Sequence, residues 1–178
     1  AAGWAGGGRG RAGAGGAGWV EPGRGHGWPD ALCYRRPEAN VPISFTPRDF
    51  LQVHDEGNRR MIAQAIELLA PDADAQVLDL FCGLGNFSLP MARVAGSVLG
   101  IELAADMVAR ARRNAADCGI GNVVFRQADL AAPSTDLAAD RRVDLVLLDP
   151  PRTGAAELID PLIDIGAARV LYVSCHPG

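Results

Sequence analysis

From Glu56 to its end the chain alternates short apolar runs with amphipathic stretches, and that alternation leaves few folds open. EGNRRMIAQAIELLA sets Met61, Ile62, Ala65, Ile66 and Leu69 at helical spacing and stops at Pro71. AQVLDLF is a short apolar run with strand character. GNFSLPMARVA can be a helix provided that Pro90 falls in its first turn, and SVLGIE is again a strand. Helix AADMVARARRNAADCG, strand NVVFRQAD, a polar loop around Pro133 and Ser134, strand VDLVLLD, a helix around AAELIDPLIDIG and strand RVLYVSC complete the series. Strand followed by helix, repeated, is the pattern of β-α units. It predicts an α/β fold with a mostly parallel sheet and helices on both faces. In such sheets ligands bind outside the carboxyl ends of the strands, so the strand ends are the place to look for chemistry.

The first strand ends in DLFCGLGNF, where Asp79 lies in the strand and Gly83 and Gly85 follow at the point where the chain must turn sharply and let a ligand approach the backbone. A dinucleotide fingerprint asks for Gly or Ala three residues after Gly85. Ser88 stands there, which argues against NAD or FAD. The second strand ends at Glu102, 17 residues after Gly85, where a carboxylate can accept hydrogen bonds from both hydroxyls of a ribose. The third ends in QAD, whose Asp129 can accept a bond from an adenine amino group. The fourth ends in LLDPPR, where Pro150 and Pro151 stiffen the chain after Asp149 and remove amide donors, leaving the carboxylate to face the cleft. Four strand ends in this order point to a nucleoside-bearing cofactor.

Composition removes other classes. At 178 residues, 48% hydrophobic and 21% charged, the chain has the makeup of one globular domain. A net charge of −4 argues against gripping nucleic acid by bulk electrostatics, so any RNA contact is expected to be local. The four cysteines, Cys33, Cys82, Cys118 and Cys175, are irregularly spaced with no C-x-x-C pair, which predicts neither a disulfide framework nor a metal site and suits a reducing, cytoplasmic setting. No apolar run is long enough for a membrane span. Residues 1–28 hold 12 of the 22 glycines without aliphatic periodicity and are expected to be disordered. Residues 29–69 are read as a connecting segment and helix leading into a catalytic core at 70–178.

The order of glycine loop, acid, acid and D-P-P resembles that of the S-adenosylmethionine-dependent methyltransferases. FTPRDFLQV, VLDLFCGLGNFSLPMA, LLDPPRTGA and LYVSCHPG resemble, more narrowly, the RNA 5-methyluridine methyltransferases, above all the bacterial 23S ribosomal RNA branch that also carries an iron–sulfur cluster. The resemblance covers roughly residues 30–178. It implies a Rossmann-like fold, S-adenosylmethionine as cofactor, 23S ribosomal RNA as partner and a monomeric enzyme. It further implies that Gln52, Phe81, Asn86, Glu102, Asp129 and Asp149 line the cofactor site and that Cys175 is the nucleophile. Cluster ligands are not recognisable in this chain.

A cysteine suits that chemistry because carbon 5 of uracil is not nucleophilic in the resting base. A thiolate added at carbon 6 turns it into an enolate carbon that can attack a sulfonium methyl. A base must then remove the carbon 5 proton before the thiolate leaves. In the family that base is a glutamate beyond the nucleophile, and an RNA-binding barrel precedes the catalytic domain. The chain is therefore expected to be a fragment, truncated at both ends and lacking the last strands of the sheet, that binds cofactor weakly without turnover. A tRNA uracil-C5 methyltransferase is the nearest alternative. An amino-methyltransferase shares the cofactor site but typically carries an aromatic residue after D-P-P, where Arg152 stands here. Cys82 and Cys118 are read as packing residues.

Overall fold

The computed structural model describes residues 19–20, 32–36, 41–45, 55–131, 137–138 and 141–174. Its centre is a five-stranded, wholly parallel sheet in the order β6-β5-β4-β7-β8. The strands are β4 (Gln76–Leu80), β5 (Ser97–Glu102), β6 (Val123–Gln127), β7 (Leu145–Leu148) and β8 (Arg169–Tyr172). The α/β reading and its sheet are thus what the chain forms. β4 and β7 are near-continuous apolar runs because both of their faces are covered, as parallel strands require.

Helix α1 (Asp55–Leu69) turns Ile62, Ala65 and Leu69 onto one face of the sheet. It ends because Pro71 bars the right-handed helical region to the residue before it, and Ala70 takes φ of +41°. On the same face lie α2 (Ser88–Met91), a single turn with Pro90 accommodated as expected, and α3 (Ala105–Asp117), from which Val108, Ala111 and Ala115 join the core. α4 (Ile159–Ile165), preceded by a 3-10 turn at Ala156–Leu158 and closed by left-handed Gly166, covers the other face. There Leu158, Leu162 and Ile165 meet Leu78, Leu80, Leu99, Ile101, Val146 and Leu148.

The chain runs outward from β4 through β5 to β6, then returns to the other side of β4 for β7 and β8. That reversal opens a crevice at the carboxyl ends of β4, β5 and β7, the switch point at which such sheets bind ligands.

A second sheet was not foreseen. β1 (Trp19–Val20), β2 (Leu32–Arg36) and β3 (Val41–Phe45) pair antiparallel in that order. β1 falls in the Gly-rich segment expected to be disordered, the rest of which lies outside the described residues. β2 and β3 fall in the segment read as a connection. Pro42 argues against a strand, yet it is tolerated in β3 because β3 is an edge of its sheet, where a missing amide costs no ladder bond on the open side.

Candidate functional site

After Leu80 the chain leaves β4 in a tight loop. Phe81 is left-handed at φ +63°, a conformation that costs a side-chain-bearing residue about 1 kcal/mol. The Cys82 amide donates to the Ile101 carbonyl at 3.0 Å, which ties the turn to β5. Gly83 (φ +53°) and Gly85 (φ +90°) supply the positive angles. A side chain at Gly83 would meet nothing within 4 Å, so this stretch of backbone faces open space. At Gly85 it would press on Leu89 at 3.0 Å and Phe125 at 3.1 Å. One glycine is open for a ligand and the other closes the packing beneath.

Glu102, at the end of β5, holds this loop. Its Oε2 accepts the Gly83 amide at 3.1 Å and its Oε1 accepts the Ala104 amide at 3.0 Å. Both oxygens are anchored, and each keeps a second lone pair for another donor. Asn86 is fixed from a different side: its Nδ2 donates to Asn58 Oδ1 and its Oδ1 accepts from Asn58 Nδ2, both at 3.0 Å. Asn58 belongs to α1 and is only 3% exposed. Asn114 of α3, also buried, donates to the Leu84 carbonyl at 3.2 Å. The glycine loop is thus held by side chains from β5, α1 and α3.

Asp79, on β4 beneath the loop, is buried at 2% exposure. Ser88 donates its hydroxyl to Oδ2, whereas Oδ1 is buried with no hydrogen-bond partner. Burial lifts its carboxyl to about 7; the Ser88 hydrogen bond opposes the rise, and the charges of Asp149 and Glu102 add to it. Asp149 is half-buried just beyond β7, and burial raises its carboxyl as well. The Asp149 amide reaches the Leu80 carbonyl at 3.3 Å, and Pro150 and Pro151 follow in a turn closed by the Gly154 amide on the Pro151 carbonyl at 2.9 Å. Asp129 lies exposed past the end of β6, its Oδ1 accepting the Ala131 amide at 2.9 Å. Arg152 is exposed.

Of the residues singled out in the sequence, Phe81, Asn86, Glu102 and Asp149 gather at the ends of β4, β5 and β7, and Asp129 stands at the end of β6 next to them in the sheet. Gln52 and Cys175 lie outside the described residues. Ser174 is the last described residue, and the Val173 amide donates to the Leu148 carbonyl at 2.8 Å, which keeps this stretch beside the end of β7. Cys82 is buried, its thiol pushed far up by burial, and packs where a side chain at Gly100 would come within 2.9 Å of its sulfur. It is a packing residue, as read. Among the described residues no group of three His, Cys, Asp or Glu side chains could hold a metal ion. No helix among them is long and apolar enough to cross a membrane.

Sequence reasoning missed Asn58 and Asn114. Asn58 carried a signal: it stands one turn before Ile62 on the apolar stripe of α1, where a polar side chain needs a partner.

A family profile described as "Methyltransferase domain" matches residues 71–167, more than half of the chain. The chain belongs to the methyltransferase family. This methyltransferase is 52% identical over 147 residues to the 23S rRNA (uracil(1939)-C(5))-methyltransferase RlmD of Methylococcus capsulatus; the match covers 82% of this chain and 33% of that protein. The chain thus spans about a third of the length of the curated relatives it matches. Among solved structures, the Pyrococcus abyssi tRNA (uracil-54, C5)-methyltransferase in complex with S-adenosyl-L-homocysteine superposes with a TM-score of 0.70 at 24% identity, over 83% of this chain and 35% of that one. An RNA methyltransferase from Salinibacter ruber, also holding S-adenosyl-L-homocysteine, gives 0.51 at 28% identity, over 60% and 67%. The fold of this methyltransferase is the Rossmann-like one of S-adenosylmethionine-dependent enzymes.

Proposed function

We propose that the crevice at the ends of β4, β5 and β7 binds S-adenosylmethionine and that the chain carries the cofactor site and nucleophile of an enzyme that methylates carbon 5 of a uridine in 23S ribosomal RNA. The observation that carries the RNA and the position on the base is the 52% identity to a relative of that name. The cofactor reading also rests on the glycine loop and on Glu102. The open backbone at Gly83 leaves room for a ligand to lie against the loop, and the second lone pairs of the Glu102 carboxylate are available to ribose hydroxyls.

In this reading Glu102 orients the ribose and Asp129 accepts from the adenine amino group. Phe81, Asn86 and Gln52 line the remainder of the site. Bound S-adenosylmethionine supplies an electrophilic methyl group. The Cys175 thiolate would add to carbon 6 of uracil, moving the electron pair of the 5,6 double bond into an enolate whose carbon 5 would take that methyl as the methyl–sulfur bond breaks and its electron pair stays on sulfur, leaving the neutral thioether. Loss of the carbon 5 proton to a base and expulsion of the thiolate restore the aromatic ring. The target base has to leave its stack to reach the crevice, and the stiff Asp149-Pro150-Pro151 segment would frame it there.

The test uses RNA containing 5-fluorouridine. Fluorine at carbon 5 cannot be removed as a proton, so the adduct needs only the nucleophile and the methyl donor and then persists. The expected result is a covalent complex, detected by denaturing electrophoresis and mass, that needs S-adenosylmethionine and is lost in Cys175→Ala. Methylation that survives Cys175→Ala would assign the chain to amino-methyltransferase chemistry, and tighter binding of NAD than of S-adenosylhomocysteine would overturn the cofactor reading.

A further inference from the structure

The five-stranded sheet ends at β8, which pairs with β7 on one side and with no described strand on the other. The Val173 amide donates to Leu148 of β7, so by strand alternation Leu171 also turns its amide and carbonyl to β7, while those of Val170 and Tyr172 face outward. The side chains alternate too. Leu171 and Val173 pack against the core on the α1 face, which sets Val170 and Tyr172 on the α4 face, each about half exposed. Ile159 and Ile163 of α4, 58% and 70% exposed, stand one turn apart on a flank about 100° round the helix from Leu158 and Leu162, which meet the sheet. The right-handed crossover of a β-α-β unit turns that flank toward β8. An apolar strip of Ile159, Ile163, Val170 and Tyr172 therefore lies beside an open strand edge. The other sheet edges are blunted: β1 has 2 residues, β3 carries Pro42 and β6 carries Arg126. Residues 170–172 contain no charge and no proline.

We infer that a second copy of this chain covers the strip, the two β8 strands pairing antiparallel about a two-fold axis that passes through Leu171 perpendicular to the sheet. That register opposes Val170 of each copy to Tyr172 of the other, so their outward amides and carbonyls satisfy one another. Their side chains meet as β-branched and aromatic cross-strand pairs. The same axis sets Ile159 and Ile163 of the two copies on either side of those pairs, on one face of a continuous sheet. The patch is thus complementary to itself, as an isologous contact requires. Its size sets its strength. Strand pairing and four apolar side chains cover roughly 500 Å² on each copy, about 1,000 Å² in all, which is near the lower limit for specific association. The axis also points the strand carboxyl ends of the two copies in opposite directions, so both crevices stay open. This chain is then a dimer, where the family resemblance implies a monomer.

Sedimentation velocity of the 178-residue chain from about 2 to 300 µM reads the association, and amide exchange at the two ends of that range reads the register. The expected result is a reversible monomer–dimer equilibrium with a dissociation constant on the order of tens of micromolar. The Val170 and Tyr172 amides should slow at high concentration, whereas those of Leu171 and Val173, which already face β7, should not change. Val170→Lys and Ile163→Glu should each weaken the dimer about tenfold or more. Both positions are half exposed or more, so the monomer should fold as before. Leu68→Glu, at a residue of α1 that is 55% exposed, should leave the dimer unchanged. A chain that stays monomeric at the highest concentration would overturn the inference and leave the edge to another stretch of polypeptide. Association weakened as much by Leu68→Glu as by Ile163→Glu would overturn it too, as would Val170 and Tyr172 amides whose exchange ignores concentration.

Discussion

The pair Asn58 and Asn86 offers a sharp test of how the glycine loop is held. Two reciprocal amide bonds of 3.0 Å join α1 to the loop, and the Asn58 side that makes them is buried. Each such bond contributes about 1 kcal/mol net, so the pair should show a coupling of about 1–2 kcal/mol in a double-mutant cycle. Asn58→Ala, Asn86→Ala and the double variant, unfolded in urea beside the parent, give that coupling directly from the four midpoints. Independent residues add to within about 0.5 kcal/mol. Asn58 is assigned no contact with cofactor, so its replacement probes positioning alone. If the pair sets the loop, Asn58→Ala should weaken S-adenosylhomocysteine binding by about fivefold, corresponding to roughly 1 kcal/mol of lost preorganisation. Additive stabilities together with unchanged affinity in Asn58→Ala would refute the argument.

Gly100→Ala places a new carbon 2.7 Å from the Phe125 ring and 2.9 Å from the Cys82 sulfur, and it should cost about 1–3 kcal/mol by urea unfolding, partly recovered in combination with Cys82→Ala. Glu102→Gln replaces one acceptor oxygen by a donor that faces an amide, so S-adenosylhomocysteine affinity should fall more than tenfold, in line with about 1.5–3 kcal/mol for a hydrogen bond to a charged group. The raised Asp79 carboxyl also makes a stability prediction. Its folded value of about 7 lies above the ordinary 3.8, so its contribution is full below about 4 and is lost as the pH rises to 7. Asp79→Asn should therefore gain on the parent in thermal scans over that interval and hold a constant advantage above it, and a difference independent of pH would contradict the assignment.

Much of this was legible from local pattern. The strand SVLGIE is β5 residue for residue, and the expected helix at 104–119 is α3 with its ends trimmed. A parallel strand buried on both faces writes itself as an apolar run, and the acids at the ends of β5 and β7 stand where such runs stop. What was not legible depends on contacts distant in sequence. Asn58 and Asn86 are 28 positions apart, and nothing in either neighbourhood names the other. Ser88 was noticed as a missing glycine, whereas its role is to donate to Asp79, nine residues earlier and across the loop. β3 contains Pro42, whose acceptability in a strand depends on lying at a sheet edge, a fact of topology and not of composition.

Glu102 ties two properties of the chain into one inheritance. The carboxylate read as the ribose acceptor is also the clamp on the amides of Gly83 and Ala104. A lineage drifting toward a cofactor with a phosphate on its ribose would have to bring a basic or neutral residue to position 102, and in doing so would set free the loop that every such cofactor needs. If Glu102 takes the ribose, cofactor identity at this position is guarded by the shape of the backbone. A change of preference has to begin with a second residue that takes over the Gly83 amide, and only afterwards can position 102 be altered.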